Sequence, residues 1–226
     1  MKRINKQFPT MTRKGNNTLK IFVCMLLTVV LTGCDLELQD GFEYDSQVEP
    51  QFTFGETTAW EWLQTNPQGE FDYMIEAIQL TGLEDEFNSA SLERTFFLIK
   101  DLGFTHNGGI LKQEFGSNSI PLADVDPVKL RNIMMYYILD TYVDQGPDEL
   151  EVLDVDYNFN TLSEDPNNSY MTVRRTWAHV LNLNKSTDIT SATKREGIVR
   201  LHNYIFSNGN AVGHMVDRHV RTAKFE

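Results

Sequence analysis

Both cysteines of this chain lie near its start, at Cys24 and Cys34. Whatever folds beyond residue 34 therefore has no disulfide within it, no thiolate metal site and no thiol nucleophile. It must be held by packing alone. Length allows this. Without residues 1–33, 193 of the 226 residues remain, enough to bury a core without staples. That length suits one domain, or one domain plus a tail.

The first 33 residues have the layout of a secretory signal. Lys2, Arg3, Lys6, Arg13, Lys14 and Lys20 form a basic lead, and residues 21–31 a short apolar core. A helix rises about 1.5 Å per residue and needs about 20 residues to cross a ~30 Å hydrocarbon core, so this run is short for a span. Leu31-Thr32-Gly33-Cys34, where the apolar run stops, resembles a bacterial lipobox. The resemblance implies cleavage before Cys34, acyl chains on its thiol and attachment to a membrane. The plainer alternative is an ordinary secretory signal with a chance cysteine. Cys24 leaves with the leader in either case.

Residues 34–55 read as a tether. Asp35, Glu37, Asp40, Glu43, Asp45 and Glu49 keep it charged, with few apolar anchors. Acidic residues just after a lipidated cysteine resemble the surface-export signal of lipoproteins in the Bacteroides–Flavobacterium group. A plain linker reads equally well. The leader holds 6 of the 20 Lys+Arg and none of the 32 Asp+Glu, which leaves 14 against 32, a net charge of −18, on the rest. Such a surface repels nucleic acid and anionic lipid. It tolerates neutral sugars, cations and basic partners.

Beyond the tether, patterns turn helical and then β-rich. Thr57 or Thr58 can cap a helix carrying Trp60 and Leu63, which Asn66-Pro67-Gln68-Gly69 breaks. Phe71, Met74, Ile75, Ile78 and Leu80 recur near helical spacing, and Gly82 suits the helix end. Phe96-Phe97-Leu98-Ile99, within residues 94–102, predicts a buried strand. Asn107-Gly108-Gly109 predicts a hairpin turn. Asp126-Pro127 starts a further helix, with Val128, Ile133, Met134, Tyr137 and Ile138 as its buried face. Val155, Tyr157 and Phe159 alternate with polar residues at strand period. Residues 171–176, 178–183, 198–206 and 212–219 are further predicted strands.

Several segments, in order, resemble a fasciclin-type domain. Residues 71–87 (FDYMIEAIQLTGLEDEF) look like its opening helices. Residues 95–104, beginning Thr95-Phe96-Phe97, look like its first signature strand. Residues 130–139 (LRNIMMYYIL) resemble the following helix, with Tyr137 where the family usually has His, and Thr161-Leu162 matches a later pair. Residues 208–217 resemble the second signature, an Asn208-Gly209 turn into a strand bearing His214 and Asp217. The resemblance spans about residues 56–222. It implies an α+β fold, a β-rich wedge or half-barrel packed with N-terminal helices, over residues 56–226. It also implies adhesion or extracellular recognition rather than catalysis, with no cofactor. Read from the residues themselves, these positions are structural. Phe96 and Phe97 are core, Gly209 serves a turn, and His214 in an apolar strand is more often a hydrogen-bonded core residue than a ligand.

No catalytic set stands out. There is no G-x-S-x-G, H-E-x-x-H or P-loop. His202, His214, His219 and Asp217 could suggest a metal site, but on one strand His214 and His219 point to opposite faces. The run Asp154, Asp156, Asn158, Asn160 is similar to a calcium loop, yet Phe159 stands where a sharp turn needs Gly and Asp165 where Glu is usual. A solvated strand face is favoured there, with a weak calcium candidate at Asp154, Asp156 and Asp165. Trp60, Trp62 and Trp177 could stack on a sugar, against the plainer reading of core or core-edge packing. Lys194 and Arg195 fall in a polar loop expected to be solvated.

The expectation is a lipid-anchored protein at the outer membrane, displayed on the cell surface, with a recognition domain for adhesion or for docking to a surface complex. The alternative is an accessory lipoprotein that binds nutrient or braces an outer-membrane transporter in a glycan- or peptide-uptake system. A hydrolase is disfavoured for want of a nucleophile–base pair.

Overall fold

The apolar run at residues 96–99 becomes the middle of a sheet. The structure, a computed structural model, describes residues 52–65, 69–146, 148–178, 180–199 and 203–226. The expected signal peptide, the anchor at Cys34, most of the tether, His202 and the Asn66-Pro67-Gln68 breaker lie outside these residues. In chain order the elements are β1 (Phe52–Thr53), α1 (Ala59–Gln64), α2 (Asp72–Thr81), α3 (Glu84–Phe87), β2 (Arg94–Ile99), α4 (Asp101–Thr105), α5 (Ile110–Phe115), α6 (Pro127–Tyr136), β3 (Ile138–Leu139), β4 (Tyr157–Asn160), β5 (Tyr170–Arg175), β6 (Leu181–Leu183), β7 (Gly197–Val199), β8 (Tyr204–Phe206) and β9 (Ala211–Val216).

One five-stranded sheet runs β1-β8-β9-β2-β3. Its centre is the parallel pair β2 and β9, which aligns Thr95 with Val212 and Phe97 with His214. Central parallel strands are covered on both faces, so both read as continuous apolar runs rather than alternating ones. Phe96, Phe97, Leu98 and Ile99 are all buried, each stabilising the fold by about 1.5–3 kcal/mol. The second sheet, β4-β5-β6-β7, is antiparallel throughout. A bridge from Leu139 to Thr161 links the end of β3 to the end of β4. The fold is α+β, as expected, and neither sheet closes into a barrel among the described residues.

The helices form where capping chemistry and apolar spacing agree. Thr58 makes a capping box with Glu61: its hydroxyl accepts the Glu61 N–H at 3.2 Å, and its own N–H donates to the Glu61 carboxylate at 2.9 Å. Asp126 accepts the N–H groups of Val128 and Lys129 at 2.9 and 3.2 Å, with Pro127 at the first helical position. Gly82 ends α2 at φ 61°, a left-handed cap that glycine adopts without strain. Helix α2 packs on α6 through faces that include Met74, Ile78, Leu130 and Ile133.

Several expectations need correction. Residues 52–54, expected at the end of the tether, join the fold: β1 pairs in parallel with β8, and Phe54 stacks on Phe206 with ring centroids 5.4 Å apart. The predicted strand over 94–102 stops at Ile99, and Asp101 opens α4. Asn107-Gly108-Gly109 joins α4 to α5 and makes no hairpin. There the His106 ring nitrogen Nδ1 accepts the Gly108 N–H at 3.1 Å. Val128 and Leu80 are exposed, on the outer faces of their helices. The predicted strand at 198–206 is two strands in different sheets, β7 and β8. The one at 212–219 ends at Val216, so His219 lies beyond it. In each case the local pattern allowed more than one element, and packing chose.

Candidate functional site

The residues of the two signatures do converge. Thr95, Phe96 and Phe97 stand on β2, His214 stands beside Phe97 on β9, and the Phe97 N–H donates to the Tyr137 carbonyl at 2.8 Å. Their contacts are those of a core. The Thr95 hydroxyl donates to the Thr141 carbonyl at 2.7 Å and accepts the Val143 N–H at 2.8 Å. This pins the segment after β3. His214 is fully buried, with Nε2 2.8 Å from the Val143 carbonyl. Burial pushes its pKa down to about 4, against a partial rise from that bond. It is a neutral imidazole at physiological pH. Asn208 and Gly209 form the turn into β9 at φ 55° and 98°.

Tyr137 organises a second buried group. Its hydroxyl accepts the Val220 N–H at 2.7 Å and lies 3.0 Å from Nδ1 of His219. His219 Nε2 lies 2.8 Å from a Glu114 carboxylate oxygen, which Arg221 also engages. Lys129 stands 3.7 Å from the other Glu114 oxygen. Burial, with the charge of Arg195 added, pushes His219 down to about 3. A neutral His219 thus donates Nε2–H to Glu114 and accepts at Nδ1. Nothing in the sequence marks Glu114. It sits between Gln113 and Phe115 on a short helix, as a residue type that is mostly exposed, and it is buried against His219 and Arg221. His214 and His219 therefore serve separate environments. Among the described residues no group of three His, Cys, Asp or Glu side chains could hold a metal ion.

The weak calcium candidates are dispersed among other partners. Asp156 takes a two-pronged hydrogen bond from Arg174 at 2.6 and 2.8 Å, which holds its carboxyl below the usual range. Asp165 is buried, accepting the Asn167 N–H at 2.9 Å and the Asn168 amide at 3.2 Å. Asp154 occupies a left-handed turn at φ 60°. The tryptophans divide. Trp62 is core, ringed by Phe54, Phe71, Tyr204 and Phe206 at 5.3 to 5.9 Å. Trp60 is half-buried, and Trp177 is 76% exposed.

Several clefts open on the surface of the described residues, two of them of interest for their charged linings. One, of about 510 Å³, lies between the α4–α5 turn, the loop before β7 and the residues just past β9. Its walls include His106, Gly108, Arg195, Asp217 and Arg218, with His219 among its lining residues. Asp217, the last residue of the second signature, thus lies at a rim, its side chain 58% exposed and 3.9 Å from Arg218. Arg195, expected to be solvated, is half-buried here. The other, of about 230 Å³, is acidic, lined by Glu93, Tyr142, Asp144, Asp148 and Glu149 beside Gly209. Burial raises the Asp144 carboxyl above its ordinary value and pushes the Tyr142 hydroxyl up to about 12.

These features belong to a known fold. The chain is similar to the solved structure of a FAS1 domain pair from the insect cell adhesion molecule fasciclin I, with a TM-score of 0.53 at 14% identity. The match covers 72% of this chain and 50% of that one, so the chain spans about half the length of the structure it matches. At this identity the likeness shows the fold alone: a FAS1-like α+β domain. The sequence matches no family profile and no curated protein.

Proposed function

We propose that this chain is an exported, lipid-anchored recognition domain that acts in adhesion or docks to a surface complex. The observation that carries the reading is its FAS1-like fold, whose solved counterpart comes from a cell adhesion molecule. The use made of His214 and His219 supports binding over catalysis. His214 and His219 are buried, neutral and spent on structural bonds, so neither is poised as a general base. The anchor is Cys34, on the strength of Leu31-Thr32-Gly33-Cys34 and the basic, then apolar, lead before it. The acidic run after it holds the domain away from a membrane surface of like charge.

Two measurements test this. Metabolic labelling with an alkyne fatty acid should mark the wild-type chain and not Cys34→Ala; label that survives the substitution sinks the anchor. A pull-down of the tagged protein from its native membrane in mild detergent, followed by mass spectrometry, tests its role. Recovery without a transporter supports an independent recognition domain. A stoichiometric outer-membrane barrel with its binding lipoprotein replaces that reading with a transporter accessory.

A further inference from the structure

We propose that the 510 Å³ cleft binds a small monocarboxylate through Arg195. The starting point is an unmet hydrogen-bonding demand. The Arg195 Nε is buried without a partner, and no nitrogen of this guanidinium has a hydrogen bond or ion pair among the described residues. A guanidinium is always charged and carries five donors, so leaving it half-buried and unpaired is costly. The other two basic side chains of the cleft with fixed charge are matched. Lys194 lies 3.2 Å from Glu196, and Arg218 lies 3.9 Å from Asp217.

The site is placed to receive a ligand. The Arg195 Nη1 reaches the α4–α5 turn, where a side-chain carbon added at Gly108 would stand 3.8 Å from it. Gly108 thus leaves room beside the guanidinium that a larger residue would fill. Leu102, 53% exposed, offers an apolar wall for a carbon skeleton. A volume of about 510 Å³ lies within the range of small-molecule sites.

Charge selects the ligand class. Apart from the histidines, Lys194, Arg195 and Arg218 face Glu196 and Asp217, a net of one positive charge on a chain that is strongly acidic beyond residue 33. One negative charge completes the balance. A dianion such as a phosphate monoester meets repulsion from Glu196 and Asp217 as well. A planar carboxylate matches the guanidinium fork with two parallel hydrogen bonds. The two flanking carboxylates accept hydrogen bonds, so the ligand carries hydroxyl donors near its own carboxylate. Sugar acids have that chemistry. The inference does not depend on the anchor or on adhesion, and its failure leaves that reading standing.

The test is titration calorimetry on the full chain in mild detergent, with D-glucuronate and D-gluconate as the two carboxylate probes and D-glucose and glucose 6-phosphate as comparators. One carboxylate probe binds with a stoichiometry of one, and glucose gives no saturable heat. Arg195→Gln weakens that binding about tenfold or more, and Arg195→Lys, which keeps the charge without the fork, weakens it less. The Arg195 side chain has no hydrogen bond or ion pair among the described residues, so near-ultraviolet circular dichroism of both variants should match the wild type. If either variant is misfolded, the Arg195 Nε–H resonance of the wild-type chain, which must shift on saturation, replaces it as the readout. The proposal is overturned by silence from both carboxylates, by equal or tighter binding of glucose or glucose 6-phosphate, by full affinity in Arg195→Gln, or by an Nε–H resonance that ignores the bound probe.

Discussion

His214 should make the domain acid-sensitive, and the size of the effect follows from its surroundings. The imidazole is fully buried beside Phe97, their rings 5.6 Å apart. Nε2 donates to the Val143 carbonyl, and Nδ1 is buried with no hydrogen-bond partner among the described residues. A second proton on Nδ1 would bury a charge with nothing to receive it. The pKa therefore falls from 6.5 to about 4 on folding. The unfolded chain binds that proton more tightly, so the contribution is complete above pH 6.5 and is lost as pH falls toward about 4. At about 1.4 kcal/mol per pH unit this amounts to about 3 kcal/mol, a large share of the ~5–15 kcal/mol that holds a typical domain together. His214→Gln keeps an N–H for the Val143 carbonyl and removes the titration. Urea unfolding at successive pH values through this window should give a pH slope shallower than wild type by up to about 1.4 kcal/mol per pH unit. His219 is present in both proteins, so the difference isolates His214. Identical slopes in the two proteins would refute the argument.

Three further perturbations probe other parts of the fold. Phe97→Ala empties a buried space beside His214 on one face of the central sheet and should cost about 3–5 kcal/mol, read as a lower denaturant midpoint at unchanged m. Glu114→Ala leaves Arg221 and Lys129 without their shared buried carboxylate and should cost about 3–5 kcal/mol, with early exchange of the amides at residues 219–222. Gly209→Ala forces a side chain into φ 98°, and a loss of about 1 kcal/mol or more in thermal unfolding is expected.

Some of this molecule was legible residue by residue, because its causes are local. Thr58 and Asp126-Pro127 announce helix starts, since the groups they satisfy lie within three residues. Gly82 announces a helix end for the same reason. The run from Phe96 to Ile99 reads as buried because no alternation is possible in a strand covered on both faces. The order of the signature segments pointed to the α+β class for a similar reason: it is carried along the chain. What needed the tertiary structure is whatever depends on distant segments meeting. Residues 107–109 carry hairpin chemistry, but helices flank them, and α4 and α5 pack together instead. Asp154, Asp156 and Asp165 share a calcium-like spacing, but Arg174 and Asn168, brought in from β5 and the turn before it, claim the last two. Glu114 lies 105 residues from His219 and 107 from Arg221, and no pattern in either stretch links them. Arg195 sits in a polar loop that reads as solvated, yet it is half-buried near the α4–α5 turn and its Nε has no partner among the described residues. Capping, turn propensity and hydrophobic run length act over one or two helical turns, so the sequence alone reveals them. Which charge is buried, paired or left unmet is set by contacts across the whole chain, and only the folded structure decides it.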